Sequence, residues 1–272
     1  MMPYTPLEAR IKIGTSGYVF DDWVGPFYPP RLPRADFLRF YAQEFSVVEV
    51  NATYYRIPPP RTMAAMVRKT PAGFRFVIKA NQEMTHRGSR DPDLYRRFED
   101  TVAPARDAGK LDGVLLQFPF RVKNDAISRR HLAFLRDALP SSPVWAEFRH
   151  ASWNHPPVFE FLRDHDIGYC AVDEPDLENL MPGVCTATTD RGYVRFHGRN
   201  AADWWGSDGH RRYDWEYTEN ELGEWLERIR DLAHSTRSTY VFFNNCYMGR
   251  AVKGARLLRK LLGMQGKLDL GL

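Results

Sequence analysis

The sequence predicts an α/β protein built as a single (β/α)8 TIM-type barrel. Three observations carry this. Short apolar runs alternate with amphipathic helical patterns, as βα units feeding a parallel sheet do. Eight such runs occur along the chain. The 272 residues suit one barrel of about 250 residues, and no linker, repeat or low-complexity stretch divides 1–272.

The expected strands are Ile11–Thr15, Val47–Asn51, Arg75–Ala80, Gly113–Phe118, Val144–Phe148, Gly168–Val172, Tyr193–His197 and Tyr240–Asn244. They are short and rich in Val, Ile, Phe and Tyr, as strands covered on both faces should be. Helical patterns follow at Asp36–Phe45, Arg61–Lys69, Asp93–Ala108, Ile127–Ala138, Pro157–His165, Thr218–Ala233 and Gly249–Leu262. Thr218 and Glu221 spell a capping box. The connection Glu174–Arg191 holds Pro175, Pro182 and Gly183, which predicts a short or absent sixth helix. An open doubly wound sheet is the competing layout. The first strand is followed by Gly14, Ser16 and Gly17 without a GxGxxG pattern or an immediate helix, so the barrel is favoured.

Composition narrows the function classes. Lys plus Arg is 38 against 34 for Asp plus Glu, a formal charge of +4. That mild excess suits a small anionic ligand without requiring nucleic acid. The cysteines Cys170, Cys185 and Cys246 are odd in number and lack ligand spacing, which fits a reducing compartment. The N-terminus has no secretory pattern, and no apolar run approaches the roughly 18 residues that suggest a membrane span. A cytoplasmic protein is expected. Nothing in the sequence sets an oligomeric state.

In a barrel the chemistry lies at the C-terminal strand ends. Polar residues collect there: Glu49 and Asn51; Lys79 with His86 close behind; Gln117; Glu147 and Arg149; Asp173 and Glu174; Arg195 and His197; Asn244 and Asn245. Residues i and i+2 of a strand share a face. Glu49/Asn51, Glu147/Arg149 and Arg195/His197 are therefore same-face pairs. A structural ion-pair network is the plainer reading of any one pair. Their recurrence on most strands favours a polar cup at the mouth. Lys79, Arg149 and Arg195 would hold an anion. Glu147 and His197 are the first acid/base candidates, with Glu49 and Asp173 behind them. Asn51, His86, Gln117, Asn244 and Asn245 would contact substrate. The N-terminus of the last helix, near Gly249, would offer amides to a phosphate. Two loops add aromatics: one carries Tyr18, Trp23, Phe27 and Tyr28, the other spans Arg199–Tyr213 with Trp204, Trp205, Arg211 and Arg212. Both are read as rims or lids, with base stacking the alternative.

No cofactor is expected. A divalent metal is the sharper alternative, with Glu49, His86, Glu147, Asp173 and His197 as N/O ligands. The neighbouring Arg and Lys oppose a cation, and no HxH or HExxH spacing supports one.

The residues resemble the YecE-like family, the domain of unknown function 72. The matching stretches are Ile13-Gly-Thr-Ser-Gly17 with Trp23 and Phe27-Tyr-Pro29; Val48-Glu-Val-Asn51 with Tyr54-Tyr-Arg56; Phe74-Arg-Phe76 with Lys79 and Thr85-His86; Leu116-Gln-Phe-Pro119; Glu147-Phe-Arg-His150 with Ser152-Trp153; Val194-Arg-Phe-His-Gly198; and Phe243-Asn-Asn245. They run in order over nearly the whole chain. The resemblance implies a TIM-type barrel and supplies no reaction. Tyr18, Tyr54 and Cys246 depart from the family's commoner Trp, Phe and Thr.

The expectation is an enzyme, a hydrolase or a lyase/isomerase, acting on a phosphorylated or carboxylated small molecule. A metal-dependent phosphodiester hydrolase or nucleic-acid binder is the second hypothesis. A non-catalytic ligand-binding barrel is the third.

Overall fold

The computed structural model describes residues 7–207 and 209–264. Eight parallel strands lie in the order β1-β8-β7-β6-β5-β4-β3-β2. They are β1 (Ile11–Thr15), β2 (Val47–Val50), β3 (Arg75–Lys79), β4 (Leu111–Gln117), β5 (Val144–Glu147), β6 (Ile167–Asp173), β7 (Arg191–Phe196) and β8 (Ser238–Phe243). β1 and β2 close the ring through one bridge, Ser16 to Glu49. The result is the expected (β/α)8 barrel, closed loosely at that seam.

Among the described residues seven helices of five residues or more wrap it: α1 (Phe37–Tyr41), α2 (Pro60–Arg68), α3 (Pro92–Asp107), α4 (Ala126–Ala138), α5 (Pro156–Asp164), α6 (Glu219–Ser235) and α7 (Arg250–Leu261). Proline opens α2, α3 and α5, where its missing N–H costs nothing. The capping box of α6 is formed: Thr218 Oγ1 accepts from Glu221 N, and Glu221 accepts from Thr218 N at 2.8 Å. Among the described residues no helix joins β6 to β7; the segment runs as turns and extended chain. Most predicted boundaries were right to within two residues, the main exception being the first helix, which ends early at Tyr41.

The barrel interior is layered. At the N-terminal end Asp112 pairs with Lys12 at 3.2 Å and with Arg75 at 3.6 Å. Above it Trp145, Tyr193, Tyr240 and Phe242 pack ring against ring. Gly113 and Gly168 make room for Trp145, since a Cβ at either would stand within 2.4 Å of its indole. The aromatic layer is a dry floor. It separates the basal group of Asp112, Lys12 and Arg75 from the polar residues at the mouth.

Candidate active site

Arg195 is the hub of the mouth. It is 1% exposed and its guanidinium is split between two carboxylates. Nη1 donates to Glu147 Oε2 at 2.5 Å, and Nη2 donates to Glu49 Oε1 at 2.7 Å. Tyr193, one inward step below on β7, donates its hydroxyl to Glu49 Oε2 at 2.6 Å. Glu147 Oε1 accepts from Arg149 Nε at 2.5 Å, and Arg149 Nη1 donates to Glu174 Oε2 at 3.0 Å. An unbroken chain of alternating charge thus crosses the barrel from Glu49 to Glu174.

His197 completes it. Its Nδ1 accepts from Asn244 Nδ2 at 3.1 Å and faces Arg149 Nη2 at 3.4 Å. Both neighbours are donors, so the ring proton sits on Nε2. That atom faces Glu147 Oε1 at 3.3 Å, outside hydrogen-bond geometry, and has no other partner among the described residues. Among the described residues Asn51 Oδ1 and Arg195 Nε are likewise buried without hydrogen-bond partners.

Titration separates these groups by role. Burial pushes the Glu147 carboxyl up, but Arg195 and Arg149 outweigh it and hold it well below its usual range. His197 is pushed down to about 3, by burial first and by Arg149 next. Glu147 is therefore a fixed anion and His197 a fixed neutral ring near pH 7. Two other groups sit near neutrality. Lys79 is lowered to about 7, chiefly by burial and then by Arg195. Glu174 is raised to about 7 by burial, which its pair with Arg149 only partly offsets.

Above the chain of charges lies a cavity of about 270 Å³. Lys79, His86, Gln117, Arg149 and Arg212 line it, walled by Tyr54, Tyr55, Trp204, Trp205 and Tyr213. Among the described residues no carboxylate lines it. Glu147 and Glu174 stand behind Arg149, already paired. His86 is lowered to about 4, by burial first and by Lys79 next, so it enters the cavity uncharged. Trp204, Trp205, Arg212 and Tyr213 supply one wall of the cavity. The guanidinium groups of Arg149 and Arg212 lie 5.9 and 5.8 Å from the centroid of the Trp204 ring.

Most residues expected at the mouth are brought together there: Glu49, Lys79, His86, Gln117, Glu147, Arg149, Arg195, His197 and Asn244. Asn51 borders the adjoining hollow beside Ser16 and Tyr213. Four do not join the cup. Asp173 faces outward, where it accepts from Arg199, from Tyr217 Oη at 2.6 Å and from Trp225 Nε1 at 2.6 Å on α6. Its neighbour Glu174 takes the inward position, because facing alternates along β6. Asn245 faces outward for the same reason and donates to Trp215 O at 2.8 Å. Trp23 is wholly buried, stacks on Phe20 and donates to Cys246 O at 2.7 Å. Tyr18 borders a separate outer groove with Arg34, Arg61 and Lys69. The loop bearing both packs against α1, with Tyr28 stacked on Phe37 at 3.9 Å, and is no lid.

Two further expectations change. The approach to α7 already holds a carboxylate, since Met248 N donates to Asp22 Oδ2 at 2.7 Å; a phosphate there would meet that charge. The suggested metal ligands are not convergent. Arg195 occupies the space between Glu49 and Glu147, Asp173 points away, and among the described residues no three His, Cys, Asp or Glu are grouped to hold an ion. Among the described residues no helix is long and apolar enough to cross a membrane. Tyr54, Trp204, Arg212 and Glu174 were not singled out as site residues.

Fold and mouth together define a TIM-type barrel with a charged network beneath a basic, aromatic-walled cavity. The chain belongs to the family described as "Protein of unknown function DUF72", whose model matches residues 12–270. It is 31% identical over 274 residues to the UPF0759 protein YunF of Bacillus subtilis (strain 168), covering 94% of this chain and 95% of that one. It is similar to the crystal structure of a DUF72 family protein (TM1631) from Thermotoga maritima, with 39% identity and a TM-score of 0.86 over 93% of this chain and 99% of that one. A DUF72 family protein (EF0366) from Enterococcus faecalis matches at 26% identity and a TM-score of 0.85, over 94% and 96% of the two chains.

Proposed function

We propose that the chain is an enzyme that acts, by acid/base chemistry, on a small organic anion bound at the barrel mouth. One observation carries this: among the described residues the charged side chains lining the mouth cavity are Lys79, Arg149 and Arg212, with no carboxylate. Positive groups in a low-dielectric cleft concentrate anions. Arg212 Nε is buried with no hydrogen-bond partner among the described residues, so a donor is available for a carboxylate or phosphate oxygen. The aromatic rim favours an organic anion over an inorganic one; Tyr55 is 74% exposed and Trp205 49% exposed.

Roles follow from titration. Arg149 and Arg212 hold the anion. Lys79, on the cavity wall, exchanges its proton near neutral pH, as a general acid or base must; Glu174, behind Arg149, sets the charge around that arginine. Glu147 and His197 position Arg149, and Arg195 locks Glu147 and Glu49. Hydrolase and lyase/isomerase chemistry both remain within this reading. No metal or other cofactor is invoked.

The test is calorimetric binding of a panel of phosphorylated and carboxylated metabolites to the wild type and to Arg212→Ala. Affinity for at least one organic anion, reduced about tenfold or more in the variant, supports the reading. Uniform absence of binding, or equal binding by both proteins, overturns it.

A further inference from the structure

Lys79 differs from Arg149 and Arg195, the two arginines of the charged network. Arg149 is tied to Glu147 and Glu174, and Arg195 to Glu147 and Glu49. Lys79 forms no ion pair among the described residues. Its Nζ lies 4.2 Å from the centroid of the Tyr54 ring, on the cavity wall. A lysine meant only to hold charge would gain from a carboxylate partner. Here the nearest fixed charges include two guanidinium groups that oppose its protonation, and Glu147 and Glu49 are already neutralised by them. A desolvated amine beside other cations is the standard means of making lysine a nucleophile.

We propose that Lys79 is a catalytic nucleophile that forms an imine with the carbonyl group of an anionic substrate, an oxo acid or a phosphorylated aldehyde or ketone. This deepens the anion-binding reading and rests on it: Arg149 and Arg212 would grip the carboxylate or phosphate while the carbonyl faces Nζ. The uncharged amine attacks the carbonyl carbon, forming the C–N bond as the carbonyl oxygen takes up a proton. The resulting carbinolamine loses that hydroxyl together with a nitrogen-bound proton as water. Amine and carbonyl become imine and water, with no change of oxidation state. Burial and the opposing guanidinium groups bring the amine to about 7, so a sizeable share is nucleophilic at neutral pH. The protonated imine is then an electron sink for breaking or isomerising a neighbouring bond. This places the reaction among the lyases and isomerases.

The experiment is reductive trapping. The full chain is incubated near neutral pH with glyoxylate, pyruvate or dihydroxyacetone phosphate, and with uncharged dihydroxyacetone as control, each with sodium cyanoborohydride. Peptide mass mapping locates the adduct, whose mass increase equals the probe less one oxygen atom. The expected result is an adduct at Lys79 with at least one anionic probe, at tenfold or greater occupancy over surface lysines. It should be absent from Lys79→Arg and suppressed by excess inorganic phosphate. Adduct with the oxo acids or with the keto phosphate tells the two substrate classes apart. No adduct at Lys79 with any probe, or labelling shared equally with surface lysines, overturns the proposal. Because Lys79→Arg could fold poorly, Arg212→Ala is trapped in parallel and should lose the anion preference while keeping the reactive amine. If calorimetry still shows anion binding that depends on Arg212, the imine alone has failed; if that binding is also missing, the anion reading has failed with it.

Discussion

Arg195 on β7 bonds Glu49, at the far side of the β1/β2 seam, with Nη2 to Oε1 at 2.7 Å. The same guanidinium binds Glu147 on β5 through Nη1. One side chain therefore ties three strands across the mouth. All three groups are buried, and a buried carboxylate stripped of its partner is expensive, about 3–5 kcal/mol for breaking such a pair. Arg195→Met should lower the unfolding free energy by about that amount, measured by urea titration. Arg195→Lys should fare little better, because one ammonium cannot serve two carboxylates in a fork. Adding Glu49→Gln to Arg195→Met should recover part of the loss. A loss below about 1 kcal/mol, the ordinary level for a point change, would contradict the hub role.

Asp173 was expected in the catalytic cup, and the structure gives it another task. It receives Arg199, the Tyr217 hydroxyl and the Trp225 indole N–H, binding β6 to α6 and the loop ahead of it. Asp173→Ala would leave two buried donors unpaired, at about 1–3 kcal/mol each. The expected outcome is a clear drop in melting temperature with anion affinity in the mouth unchanged below the transition. Loss of anion binding in a folded Asp173→Ala protein would return this residue to the site.

The contrast between Asp173 and Glu174 shows how far the sequence could be read. The barrel and its eight strands were legible because apolar runs and capping residues are local signals. The cup was legible on β5 and β7 because alternate residues share a face. The same rule applied to β6, counting from Cys170 through Val172, would have chosen Glu174. On the loops no such count exists. Tyr54 lay within a stretch quoted for its family resemblance, and Arg212 within a basic aromatic loop, yet only the folded chain brings both beside Lys79. Charge state was the least legible property. Glu147 and His197 have the residue types of an acid/base pair, but Arg195 and Arg149 hold Glu147 ionised, and burial followed by Arg149 holds His197 neutral. That depends on contacts between residues 48 positions apart in the chain.

His197 and Glu174 should impose opposite slopes on stability as pH changes. His197 is lowered from 6.5 to about 3 in the fold, so its contribution is complete above 6.5 and is lost as pH falls below it. Glu174 is raised from 4.5 to about 7, so its contribution is complete below 4.5 and is lost as pH rises towards 7. Between those limits the unfolded chain binds the extra proton at His197 and the folded chain binds it at Glu174. Each can change the slope by up to about 1.4 kcal/mol per pH unit. Relative to wild type, His197→Asn should therefore tilt the stability curve downward with rising pH across 4.5–6.5, and Glu174→Gln should tilt it upward. Unfolding free energies at several pH values decide this, and tilts of the same sign would refute the assigned protonation states.

Lys79 offers a test that needs no substrate. Its folded value near 7 lies below the ordinary 10.5, so this amine supports the fold fully above 10.5 and progressively less as pH falls towards 7. The groups that set this are Arg195 and Arg149, which oppose its charge, and Glu147 and Glu49, which favour it. Burial adds the largest penalty. At neutral pH the protein thus carries a strained charge at its mouth, as functional sites often do at the expense of stability. Lys79→Met removes the charge with an unbranched side chain one atom shorter and sets a thioether near the Tyr54 ring, a contact methionine makes well. The variant should be more stable than wild type at neutral pH by about 1 kcal/mol, with the gain shrinking as the solution approaches pH 10. Its anion affinity should fall, because a positive wall of the cavity is gone. A gain that stays constant with pH would mean that the amine titrates normally, and one that reverses at neutral pH would mean that its charge is a support of the fold and not a burden carried for chemistry.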